Sequence, residues 1–164
     1  MDDMLEELLA RNRSYADHFR AGALPARPAL GLAVVACMDA RLDLHRILGL
    51  AEGDAHILRN AGGAVTEDVL RSLVVSQRLL GTRRIVLVHH TDCGMTGFRD
   101  EALKEEIERE TGIRPPFAFE TFTDVEEDVR QSIRRIKACP FLPYREEVLG
   151  FVYDVATGIM HPVP

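Results

Sequence analysis

The sequence has no surplus of positive charge, no long apolar run and only three cysteines, and each shortage removes a class of function. Its 164 residues carry 20 basic and 26 acidic side chains, a formal net charge of -6. Polyanions are held by clustered cations, so this balance argues against nucleic acid or an acidic membrane as partner and favours a small-molecule substrate. No stretch of about 18 apolar residues occurs, so no membrane-spanning helix is expected. The start, Met1-Asp2-Asp3-Met4-Leu5-Glu6-Glu7, lacks the basic and then apolar segments of a secretory signal, which predicts a cytoplasmic protein. In a reducing compartment an odd set of cysteines, Cys37, Cys93 and Cys139, reads as thiols or metal ligands rather than a disulfide framework.

What is present predicts one domain over residues 1–164, with 46% hydrophobic residues to fill a core. Leu5, Leu8, Asn12, Tyr15 and Phe19 recur at helical spacing across residues 2–20. The prolines at 25 and 28 stop that helix, so residues 1–28 form a helical arm and linker. The arm either folds back on its own domain or lies across a neighbouring subunit. Four apolar runs then read as strands buried on both faces: Gly31 to Cys37, Ala55 to Leu58, Ile85 to His89, and Leu149 to Val155. A helix opened by Thr66 and stopped by Gly81 separates the second from the third. Another, with Thr123 and Glu126 as a capping box, precedes the fourth and ends at Pro140. The expected fold is α/β: a mostly parallel central sheet of about four strands with helices on both faces. A turn at Thr157-Gly158 would add an antiparallel edge strand.

Ligands in such sheets collect beyond the carboxyl ends of the strands. Cys37-Met38-Asp39-Ala40-Arg41 follows the first run directly, and His90-Thr91-Asp92-Cys93-Gly94 follows the third. With 12 Asp, 18 Arg and 3 Cys, a Cys-x-Asp-x-Arg arises by chance only about 0.02 times in this chain. Cys37, His90 and Cys93 thus offer two thiolates and an imidazole, a soft donor set that selects Zn2+ over magnesium or calcium. Three protein ligands leave a fourth tetrahedral position open, which is the catalytic pattern. Two thiolates cancel the charge of the ion and weaken its hold on a hydroxide proton, so an orienting group gains value. Asp39 fills that role as acceptor, with Arg41 pinning its carboxylate; alternatively Asp39 is the fourth ligand until Arg41 draws it away.

Cys-x-Asp-x-Arg, Arg59-Asn60-Ala61-Gly62-Gly63, Ser72-Leu73 and His-x-x-Cys-Gly, in this order and spacing, resemble the β-class carbonic anhydrases, in particular their small bacterial and archaeal branch. The likeness covers residues 31–97. It implies reversible hydration of carbon dioxide to bicarbonate by a zinc-bound hydroxide, in a homodimer or an assembly of dimers. The glycine pair lets backbone amides approach a small anion, which makes Gly62 a candidate substrate contact. Arg59 reads as structural, His89 as facing away from the metal, and Cys139 as core. The extra bicarbonate pocket of some members is built around a tryptophan, and this chain has none. Hydrolysis of carbonyl sulfide or carbon disulfide at the same zinc is the alternative activity, and a non-catalytic zinc or bicarbonate-binding module the alternative of another class.

Overall fold

The computed structural model describes residues 2–164. Its elements are α1 (Asp2–Asp17), β1 (Leu32–Cys37), α2 (Leu44–Leu48), β2 (Ala55–Asn60), α3 (Glu67–Arg78), β3 (Arg84–His90), α4 (Asp100–Thr111), α5 (Val125–Ala138), β4 (Val148–Tyr153) and β5 (Met160–Val163). The strands form one sheet in the order β2-β1-β3-β4-β5. The first four strands run parallel, and β5 returns antiparallel to β4. The expected α/β architecture is present: four parallel strands and the antiparallel edge strand make up the five-stranded sheet.

Strands β1 and β3 read as continuous apolar runs because they lie inside the sheet with both faces covered. On one face Ala33, Val35, Ile85 and Leu87 meet Val69 and Leu73 of α3 and Ile136 of α5. On the other, Val34, Ala36, Val86 and Val88 meet Leu44 of α2 and the partly buried Phe98, Phe119 and Phe122. A fully buried side chain such as Leu73 or Ile85 contributes roughly 1.5–3 kcal/mol. Helix α5 sits tight on β4 because Gly150 has no side chain; a Cβ there would stand 2.3 Å from Val129 Cγ1.

Some expected boundaries move, each for a local reason. Asp124, not Thr123, caps α5, its carboxylate accepting from the amides of Glu126 at 2.9 Å and Glu127 at 3.0 Å. A charged acceptor at the positive end of the helix outcompetes the neighbouring hydroxyl. Helix α1 stops at Asp17 rather than near residue 20. Helices α2 and α4 had no periodic signal: α2 is five residues long, and α4 buries no residue. Among the described residues, no helix is long and apolar enough to cross a membrane.

Candidate metal centre

The strand order creates the site. β1 lies between β2 and β3, so after β2 the chain crosses to the other side of β1, and the carboxyl ends of β1 and β3 flank the point of reversal. Loops leaving adjacent strands in opposite directions open a crevice there. Cys37 is the last residue of β1 and His90 the last of β3, with Cys93 three residues further on. All three are buried, and their ligand atoms lie within 4.8 Å of one another. The structure therefore brings together the three residues the spacing selected.

Their geometry fits zinc. Two thiolates on one tetrahedral zinc stand ~3.8 Å apart for Zn–S bonds of about 2.3 Å, and Cys37 Sγ and Cys93 Sγ are 4.0 Å apart. His90 Nδ1 lies 2.8 Å from the Thr91 carbonyl. A carbonyl only accepts, so Nδ1 carries the hydrogen and Nε2 is left with its lone pair. That Nε2 is buried without a hydrogen-bond partner, as a ligand atom should be.

The two sulfurs stand within hydrogen-bond reach of each other, at 4.0 Å. The hydrogen bond from Cys93 lowers the Cys37 pKa, with further help from His90 and the amides of Asp39 and Gly62. The same bond, together with burial, pushes Cys93 up. Burial lowers His90, but the adjacent Cys37 sulfur and the Thr91 carbonyl outweigh this and leave it raised.

Asp39 and Arg41 stand at the rim. Both carboxylate oxygens of Asp39 are gripped by Arg41, with Nε at 3.0 Å from Oδ1 and Nη2 at 2.7 Å from Oδ2, while the Arg41 amide donates to Oδ1 at 2.9 Å. The Arg41 side chain, and then its amide, hold the Asp39 carboxyl well below the usual carboxylate range. Asp39, and then Asp92, raise Arg41 above its ordinary value. Asp39 Oδ2 is also 3.7 Å from His90 Nε2, at the edge of the ligand triangle.

The Gly62-Gly63 turn closes over the end of β1. Gly63 has φ +70°, and a Cβ on it would meet the Cys37 amide nitrogen at 2.9 Å. Gly62 has φ +76° and looks toward Met95 and Phe122, 3.2 Å and 3.5 Å from where its Cβ would be. Phe119 and Phe122 pack on the core, whereas Phe117 is exposed. His89 faces α5, its Nδ1 3.0 Å from Asp128 Oδ2, though not aligned as a hydrogen bond. Cys139 is buried in the core on the α3 and α5 face.

Arg59 and Asp92 support the site from outside the ligand set. Arg59 Nε donates to the Cys37 carbonyl at 3.0 Å and Nη2 to the Asp39 carbonyl at 2.6 Å, fixing the backbone that carries both residues. Asp92 accepts from Arg41. Only the β1–β2 pairing, which puts Arg59 beside Ala36, makes the first legible. A groove of about 780 Å³ between α3 and α5 is lined by Leu70, Val74 and Phe141 among others and contains none of the candidate site residues. The donor set, not cavity size, marks the site.

A family model described as carbonic anhydrase matches residues 32–114. The β-carbonic anhydrase 1 of Mycobacterium tuberculosis is 55% identical over 158 residues, 96% of each chain. The crystal structure of carbonic anhydrase from Streptococcus mutans superposes with a TM-score of 0.91 at 43% identity, covering 98% of this chain and 97% of that one. A carbon disulfide hydrolase of Acidithiobacillus thiooxidans is 31% identical over 150 residues, 79% of this chain and 75% of its own.

Proposed function

This chain belongs to the β-carbonic anhydrase family, and from that premise we propose that it catalyses the zinc-dependent reversible hydration of carbon dioxide to bicarbonate. The observation that carries the reading is the buried Cys37, His90, Cys93 triangle with one unpartnered imidazole nitrogen and a pinned carboxylate beside it. Zinc held there supplies Lewis acidity, which lowers the pKa of water and makes a nucleophile available near neutral to alkaline pH.

The protein's own groups orient and select. Asp39 stays ionised because Arg41 occupies both its oxygens, so its carboxylate serves as a fixed acceptor for the hydrogen of the attacking water. With both oxygens so engaged, Asp39 would be held back from a zinc bound by Cys37, His90 and Cys93 rather than joining it as a ligand. Gly62 is the proposed substrate contact. Any side chain there would enter the space bounded by Met95 and Phe122, so the bare backbone admits a small linear substrate. Release of bicarbonate and loss of a proton to buffer complete the turnover.

Carbonyl sulfide or carbon disulfide hydrolysis is the second reading, motivated by the relatives named for carbon disulfide. Identity of 55% to a β-carbonic anhydrase against 31% to a carbon disulfide hydrolase favours carbon dioxide. Stopped-flow hydration of carbon dioxide by zinc-loaded protein decides it: the expected result is turnover far above buffer, and no rate above buffer even at alkaline pH sinks the proposal.

A homodimer, or an assembly of dimers, is the proposed state. Met4, Leu5, Leu8 and Leu9 of α1 are exposed, an apolar surface that an arm clear of its own core would place on a second subunit. Replacing Leu5, Leu8 and Leu9 by serine should lower the sedimentation mass, and an unchanged mass removes the arm from the interface. A reducing cytoplasm is the proposed setting, since sulfurs this close stay available to a metal only where they are not oxidised to a disulfide.

A further inference from the structure

Asp92 lies between the ligands His90 and Cys93 and adopts φ +53°. Among the described residues only it and Glu120 take a positive φ without being glycine. A residue with a Cβ is disfavoured there, so a turn needing only this shape would be served better by glycine. Packing does not explain the choice, because the Asp92 side chain is 79% exposed. Its contacts do. Arg41 Nη1 donates to Asp92 Oδ2 at 2.8 Å, and Arg41 Nη2 donates to the Asp92 carbonyl at 2.9 Å. The guanidinium is thus held on one edge by Asp39 and on the other by Asp92, with all three nitrogens engaged.

We propose that Asp92 is a positioning residue that holds Arg41 against Asp39 and so keeps the Asp39 carboxylate off the fourth metal position. Arg41 is 46% exposed, so burial alone does not fix its rotamer and the two acids together do. Arg59 anchors the Asp39 backbone, which leaves rotation of the carboxylate as the free motion. Asp39 Oδ2 already stands 3.7 Å from His90 Nε2, within a short swing of the metal position. A loosened Arg41 lets that swing occur.

The inference rests on the metal-site reading above, and the test separates the two. Asp92→Gly removes the second clamp and relaxes the backbone. The variant should melt no lower than the parent and bind zinc with the same stoichiometry, while kcat falls roughly tenfold, the scale of one charge-assisted hydrogen bond. Its cobalt-substituted form should show a changed visible spectrum as the carboxylate joins the metal. Asp92→Asn tolerates the same φ and retains an acceptor for Nη1, so it should fall between the two. Parental kcat and an unchanged cobalt spectrum in Asp92→Gly overturn the proposal. If the parent itself fails to hydrate carbon dioxide, the Arg41 Nε–H resonance of the metal-free protein still decides: a signal exchanging faster in Asp92→Gly supports the clamp, and an identical one refutes it.

Discussion

Replacing Gly63 by alanine tests whether the site depends on the glycine turn lying directly against β1. Two costs separate cleanly. The first is conformational: at φ +70° an L-residue is disfavoured by about 1–2 kcal/mol. The second is steric. The new Cβ would stand 2.9 Å from the Cys37 nitrogen and 3.0 Å from the Ala36 carbonyl carbon, atoms of a central strand rather than the tip of a flexible side chain. Overpacking of that kind costs about 1–3 kcal/mol. Gly112 is the control, with φ +76° and nothing within 4 Å of its added Cβ. Gly112→Ala should therefore lose about 1–2 kcal/mol and Gly63→Ala about 2–5 kcal/mol. At roughly 2–4 °C per kcal/mol for a chain this long, the Gly63 variant should melt about 10 °C lower. Thermal unfolding of the metal-free proteins at one fixed concentration measures both, and competition with a chromophoric chelator should show weakened zinc binding for Gly63→Ala alone. Equal losses at the two glycines would refute the close approach as a constraint on Cys37.

Asp39→Asn should keep stoichiometric zinc while hydration of carbon dioxide falls at least about 100-fold, because an amide is a poorer acceptor and cannot be pinned as a charge by Arg41. Elemental analysis beside stopped-flow rates checks this, and parental turnover would remove Asp39 from the chemistry. Stripping the metal should lower thermal stability, since a ligand binding only the native state stabilises it by about 4 kcal/mol at a thousand times its Kd; chelator without effect on melting would contradict the three-ligand site. Asp100 is held below the ordinary carboxylate range by Lys104, with the Phe119 amide donating to it at 2.7 Å. A carboxyl so lowered contributes stability above its unfolded pKa and loses it as pH falls through the folded one. The Phe119 amide shift should accordingly titrate with a midpoint below about 3.9, and a midpoint at or above that value would exclude this stabilisation of the Asp100 carboxylate.

The candidate metal ligands were readable because thiolate, imidazole and their spacing are chemically rare, and because both motifs follow an apolar run. Strand runs were readable for a related reason: β1 and β3 are covered on both faces, so no polar alternation obscures them. Helix α4 was invisible because nothing in it is buried. Its apolar side is only Leu103 and Ile107, both half-buried, and pairs such as Lys104 with Asp100 at 2.8 Å surround them with mixed charge in the sequence. The cap of α5 was misplaced by one residue because Thr123 and Asp124 are both good caps, and only the distances to the Glu126 and Glu127 amides choose between them.

What spacing could not carry was the strand order, and the order turns two separate motifs into one site. Cys37 and Cys93 are 56 positions apart, with β2 and α3 between them in the chain, yet their sulfurs are 4.0 Å apart because β3 returns to the side of β1 that β2 left free. The same placement brings Arg41, leaving β1, against Asp92, leaving β3. A rearrangement of either exit loop would thus be felt by the metal ligands and by Asp39 together. The second grip on Arg41 therefore comes from the loop that also supplies Cys93, so in the proposed mechanism retention of the ion and control of the fourth position are parts of one mechanical unit.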